Sequence, residues 1–320
     1  MATQTAVLSQ TKVQRATPTG DWIARGVVLV FAALVLLITV LLMYELWLGS
    51  AAARHKLGWG FLFSSQWDPV TEKFGAAPFI YGTVVTSILA LLISVPLGLG
   101  AAIFLSELAP AALSSALTFL VELLAAIPSV IYGLLAIFTV VPLMRSYAEP
   151  LLKNFLGSLP LFRGPAYGYG FLTAGIVLAI MTFPFIISVS REALLSVPRD
   201  QREAALALGA TRWEMTWQVV VPYARLGILG SIFLGLARAL GETMAVTMVI
   251  GNDPSIHSSL LAPGYSIAAV IANEFTEATG DVYPAALVEL GLVLFCITIV
   301  INGLARLMIL ATAGKGSKRP

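Results

Sequence analysis

A guanidinium and a carboxylate stand four residues apart, at Arg238 and Glu242, in a stretch of residues 226 to 250 that holds no other charge. On a continuous helix that spacing places both groups on one face. An ionisable side chain at the centre of a bilayer costs at least about 2.5–3.5 kcal/mol on insertion scales, so such groups face a bundle interior or a wet pathway. Arg238 could offer its planar fork to a tetrahedral oxyanion as two parallel hydrogen bonds. Glu242 would then orient that cation and partly neutralise it. The same two residues also read as a structural ion pair that locks the helix to its neighbours, because buried pairs are often close to neutral in stability. Gly235, Ala237, Ala239 and Gly241 leave room for a ligand or for a neighbouring helix.

Other polar positions carry less chemistry. Glu122 could snorkel to an interface or line a path, and Ser129, beside the backbone disturbed by Pro128, is a second candidate pathway position. Pro184 would bend its helix. His55 and His257 fall in expected loops, and Cys296, in an apolar run, reads as a small packing residue. Two histidines and one cysteine leave almost nothing for a zinc site and no disulfide framework.

The elements that must hold these groups follow from composition. Of 320 residues, 58% are apolar and only 11% charged, and the mean hydropathy is +0.90. Soluble domains carry roughly 25% charged residues, so this chain lacks the polar surface to cover its own core in water. A net charge of +2 is too small to make nucleic acid a natural partner. The long uncharged stretches predict six membrane-spanning helices, near 26–48, 83–105, 118–141, 171–190, 226–250 and 284–308. A closed barrel would show short alternating segments instead. The first apolar stretch is too long for a cleaved signal peptide and is expected to remain as a helix.

The expected organisation is a polar N-terminal tail at 1–22, a transmembrane domain at 23–312 and a basic tail at 313–320. Lys12, Arg15, Arg25, the arginines from Arg191 to Arg225, and Arg306 to Arg319 fall on one side of the spans. They outnumber Arg54, Lys56, Lys73, Arg145, Lys153 and Arg163 on the other, which predicts that both termini are cytoplasmic. The aromatic-rich external segment 49–82 reads either as a piece lying in the membrane interface or as a packed cap on the helices.

The connection 191–225 is expected to be a cytoplasmic helical hairpin. Pro198 opens one helix, Gly209 stops it, and Thr211 with Glu214 makes a capping box for a second helix that ends towards Pro222. No P-loop is present: the only Gly-Lys, at Gly314, is preceded by Ile309 where a glycine is required. Energy for uphill movement would have to come from a gradient or from another subunit.

The spacing Glu203-Ala204-Ala205, three residues, Gly209, nine residues, Val219 to Pro222 resembles the EAA motif of the membrane subunits of ATP-binding-cassette importers. That resemblance implies that Glu203, Ala204, Ala205, Gly209 and Pro222 belong to a coupling element docked on an ATPase subunit. Longer stretches extend it: FLFSSQWDP from Phe61, PFIYGT from Pro78, LSELAP from Leu105, ELLAAIPSVIYG from Glu122 and RALGETMAV from Arg238. Together they resemble the PstC family of phosphate-importer permeases over residues 22 to 312.

The resemblance implies an all-α, type I importer permease fold in a prokaryotic inner membrane, with inorganic phosphate as substrate. It also implies a sister permease of the PstA type, two PstB ATPase subunits and an external phosphate-binding protein. No cofactor and no catalytic site are expected in this chain, the ATP being used by its partners. Arg238 and Glu242 match the family's membrane-embedded charged pair. Sulfate, molybdate or phosphonate import, and a gradient-driven secondary transporter, are the alternatives that the residues alone leave open.

Overall fold

The computed structural model describes residues 18–316. The N-terminal tail up to residue 17 and the last four residues, with the basic positions Lys12, Arg15, Lys318 and Arg319, lie outside the described residues. Among the described residues, six helices are long and apolar enough to cross a membrane: Gly20–Gly49, Ala77–Leu108, Ser129–Leu156, Phe171–Leu195, Arg212–Leu240 and Val282–Leu310. The chain divides at Leu48 into two units. The first unit carries the first span, whose side chains from Gly20 to Tyr44 are exposed over their whole length. The second unit holds the other five.

Within the second unit, the second and fourth spans make the most extensive contact. Small residues permit it. A Cβ added at Gly175 would come within 2.7 Å of Leu89, and one at Gly98 within 2.9 Å of Ile186. Close backbone approach through such residues is how membrane helices gain dispersion energy where lipid offers no hydrophobic contrast. The fifth span joins this pair through a buried hydrogen bond of 2.7 Å between the Ser190 and Ser231 hydroxyls.

Two of the expected spans differ in extent. The third was expected over 118–141, but residues 111–126 form a separate helix that ends at Ile127, in extended backbone, followed by Pro128. Proline lacks the N–H that would continue the ladder and biases its predecessor away from the helical region, so a new helix starts at Ser129 and runs on to Leu156. The fifth was expected over 226–250. Its helix stops at Gly241, Glu242 is extended (φ −71°, ψ 126°), and a short helix Met244–Val249 follows.

The second hairpin helix does not end towards Pro222 but runs without interruption into the fifth span. The reason is a local widening. Four π turns occur among the described residues, at Phe104–Leu108, Ala136–Val140, Met144–Ala148 and Thr216–Val220. Each is followed two residues later by a proline, at Pro110, Pro142, Pro150 and Pro222. The residue just before each proline, Ala109, Val141, Glu149 or Val221, donates its N–H to the carbonyl five residues back. The wider turn makes room for the ring, and after three of the four prolines the helix continues.

At the end of the bundle remote from the hairpin, the segment 49–82 forms a packed cap. Phe61, Phe74 and Phe79 are buried, and the Trp67 ring meets Phe74 and Phe79 edge-on at 4.9 and 4.7 Å. The Trp67 indole N–H and the Tyr283 hydroxyl both donate to the same Glu274 oxygen, at 2.8 and 2.6 Å. Trp59 and Phe63 point outward, 84% and 83% exposed. Cys296, expected as a packing residue, is exposed on the sixth span.

Candidate functional site

The breaks in the third and fifth helical paths adjoin. The helix that starts at Ser129 packs on Met244–Val249, and a Cβ at Gly133 would stand 3.2 Å from the Ala245 backbone. Ala239 and Ala245, on either side of the fifth-span break, are buried in one apolar cluster with Val177, Leu178 and Met181 of the fourth span. The flanks of the break are therefore held firmly, and residues 242 and 243 form the junction between the two helices. Uncoiled backbone of this kind inside a membrane is tolerated where it is packed in protein or lines a wet cavity.

Arg238 occupies the last turn of its helix, where its cation complements the carbonyl end of the macrodipole. Its side chain is exposed and makes no ion pair among the described residues. Glu242 is half-buried, with the Ala245 N–H approaching one carboxylate oxygen at 3.5 Å. The expected stacking of both groups on one helical face is thus replaced by a cation at a helix end and a carboxylate just past it. Gly241, read from sequence as a close-packing residue, is where the helix terminates. Ser129 is half-buried at the start of its helix, whereas Glu122 is exposed on the helix before Pro128. They lie on opposite sides of that break.

The hairpin residues gather on one surface. The first hairpin helix spans Arg199–Ala207 behind Pro198, and Gly209 turns the chain at φ +87° in the left-handed region that favours glycine. The Thr211 and Glu214 capping box is formed in both directions. Glu203 and Ala204 face outward, while Ala205 packs against the cluster of Leu194, Met215 and Val220. Leu206, Leu208, Trp213 and Trp217 leave apolar surface exposed around the turn, Leu208 to 90%. A cleft of about 350 Å³ opens among Ala204, Leu208, Glu214 and Gln218. Small side chains, exposed apolar groups and a cleft form a surface that a partner can fill. Pro222 lies within the fifth span, past the π turn.

Two features had no sequence signal strong enough to assign. Arg202 forms a two-point ion pair with Glu107, Nε to Oε2 at 3.1 Å and Nη2 to Oε1 at 2.9 Å. It also donates to the carbonyls of Leu194 (2.8 Å) and Val197. Glu149 is buried and accepts the Gly168 N–H at 3.1 Å, tying the end of the third span to the loop before the fourth. Both join residues far apart in sequence, so neither can be seen in a local pattern.

Residues 94–311 match the family described as binding-protein-dependent transport system inner membrane component. The chain is 50% identical over 283 residues to the phosphate transport system permease protein PstC of Mesorhizobium japonicum, covering 87% of this chain and 86% of the relative. It is 47% identical to the PstC of Pasteurella multocida, covering 90% and 91%. The probable PstC of Methanocaldococcus jannaschii is 37% identical, covering 85% and 88%. Among solved structures, a bacterial alginate ABC transporter aligns with a TM-score of 0.59 at 18% identity, over 91% of this chain and 94% of that one. The MetNI methionine ABC transporter aligns with a TM-score of 0.55 at 16% identity, over 77% and 99%. At those identities the structural likeness establishes the fold.

Proposed function

The chain belongs to the inner membrane components of binding-protein-dependent transport systems, within the PstC phosphate permeases, and from that membership we propose that it is the permease subunit of an ATP-driven importer of inorganic phosphate. The observation that carries the substrate is the identity of about 50% with relatives named as phosphate permeases over most of both chains. It is a multi-pass membrane protein with the importer permease fold.

The finer assignments form one consistent account. Arg238, exposed at the fifth-span break and without an ion pair among the described residues, supplies half of a site that a sister permease of the PstA type completes. Its fork takes two phosphate oxygens. Glu242, close to the same anion, keeps the attraction weak enough for release, as conduction requires. Glu122 and Ser129 flank the path at the adjoining break.

The hairpin surface, with Glu203, Ala204, Ala205 and Gly209, receives one of two PstB ATPases on the cytoplasmic side, and both termini lie on that side. An external phosphate-binding protein delivers the substrate. ATP is hydrolysed by the ATPases, and this chain holds no cofactor. Motion of the docked hairpin passes directly into the fourth and fifth spans, which continue its two ends, and alternately opens the path to either side.

The test is ATP-dependent uptake of radiolabelled phosphate by the purified importer in proteoliposomes, with sulfate, molybdate and phosphonate as competitors. Unlabelled phosphate alone should suppress uptake. Equal suppression by sulfate or molybdate would overturn the substrate assignment.

A further inference from the structure

We propose that Arg202 is a positioning residue that couples the second span to the hairpin, with Glu107 as its counterpart. The inference rests on the importer reading above and adds a route for the motion. The hairpin is continuous in sequence with the fourth span at one end and with the fifth at the other, but the second span has no such connection. Among the described residues, the hydrogen bonds and ion pairs that join the hairpin helix Arg199–Ala207 to the second span are those between Arg202 and Glu107.

The geometry is that of a clamp. Glu107 lies in the π turn Phe104–Leu108 that ends the second span, its side chain 4% exposed, and Arg202 is 17% exposed. The guanidinium presents two nitrogens in parallel to the two carboxylate oxygens, the arrangement with the most directional constraint available to an ion pair. A further contact at 2.8 Å goes to Leu194 in the last turn of the fourth span, and another to Val197 in the linker. The Leu194 carbonyl belongs to a helix C-terminus, where carbonyls lack intrahelical donors and a cation complements the macrodipole. One side chain thus ties together the hairpin helix, the end of the second span and the end of the fourth.

Arg202 is the immediate neighbour of Glu203, which faces outward on the docking surface. Displacement of that surface by a partner therefore reaches the second span through a rigid fork, set beside the apolar cluster of Ala102, Ile103 and Leu194 on which Ala205 packs. Lysine would keep the charge but lose the fork and could not serve all four acceptors with equal geometry. The second and fourth spans are also the pair most extensively packed on each other. The clamp makes them travel as one body with the hairpin.

The experiment uses the complete importer reconstituted in proteoliposomes, with phosphate import and ATP hydrolysis read on the same sample. In Arg202→Gln and Glu107→Gln complexes, hydrolysis should persist while import falls, raising the ATP consumed per phosphate by about tenfold, within the range of coupling effects found along such networks. The double variant should be no worse than the poorer single one, since both remove the same link, and Arg202→Lys should fall between wild type and Arg202→Gln. A wild-type ratio in both single variants, or a double deficit equal to the product of the two singles, would overturn the proposal. So would failure of all the variants, Arg202→Lys included, to assemble, because the pair would then serve folding alone. Absence of phosphate import in the wild-type complex would instead refute the substrate reading, so the two failures are distinguishable.

Discussion

Glu242 stands one residue beyond the helix whose last turn carries Arg238, so the two charges flank a backbone break rather than stack along a continuous face. The arrangement changes what each can do. The guanidinium is placed by the last turn of a helix, and the carboxylate by the extended residue just past it.

Gly209 turns the hairpin at φ +87° with open space around its Cα. Gly209→Ala should weaken the hairpin by about 1–2 kcal/mol from backbone strain alone, the cost of placing an L-residue in the left-handed region. If the hairpin surface receives an ATPase as proposed, Gly209→Trp should add a bulky group to it and uncouple hydrolysis from transport. Binding-protein-stimulated hydrolysis and phosphate uptake, measured together, check this. Unchanged coupling in Gly209→Trp would place the docked partner elsewhere.

The hydrogen bond between Ser190 and Ser231 joins the fourth and fifth spans in a buried setting. A double-mutant cycle with Ser190→Ala and Ser231→Ala should give a coupling energy of about 0.6 kcal/mol, the average for such bonds between membrane helices. Thermal unfolding in detergent provides the measurement. Strict additivity would mean that the hydroxyls contribute independently.

Tyr265, packed against Phe79 beneath the cap, is held protonated chiefly by burial, which pushes its pKa up to about 12 from 10.0, against a smaller opposing effect of its hydrogen bond from Asn273. Because the folded protein holds the phenolic proton more tightly than the unfolded chain, this contribution is complete below pH 10 and is lost as the pH rises towards 12. Unfolding followed across that interval should show stability falling with pH, and Tyr265→Phe should remove that part of the slope. An identical slope in the variant would assign the effect to other groups.

Much of the fold was legible because lipid imposes a simple rule: uncharged stretches long enough to cross it become helices. The capping box at Thr211, the turn at Gly209 and the helix start after Pro198 were legible for the same local reason, since each depends on residues only a few positions apart. The breaks were harder. Pro128 and Gly241 are visible as possible stops, but Pro142, Pro150 and Pro222, each just past a π turn, and Pro96 and Pro184, within α-helices, look the same and do not interrupt theirs. Pro110 also follows a π turn and its helix ends there, so whether a proline breaks its helix is not encoded in residue type alone. The charges that close long loops in sequence were not legible at all. Arg202 with Glu107 and Trp67 with Glu274 are tertiary facts, while Arg238 and Glu242 stood out because no other residue of 226–250 is charged.

The account turns on Arg238 as the anion's contact in the path. Phosphate uptake by the reconstituted importer carrying Arg238→Gln tests it most directly, with the assembled complex verified by co-purification of its subunits. Uptake is expected to fall to background while assembly is retained. Uptake at the wild-type rate in the assembled variant would contradict the account.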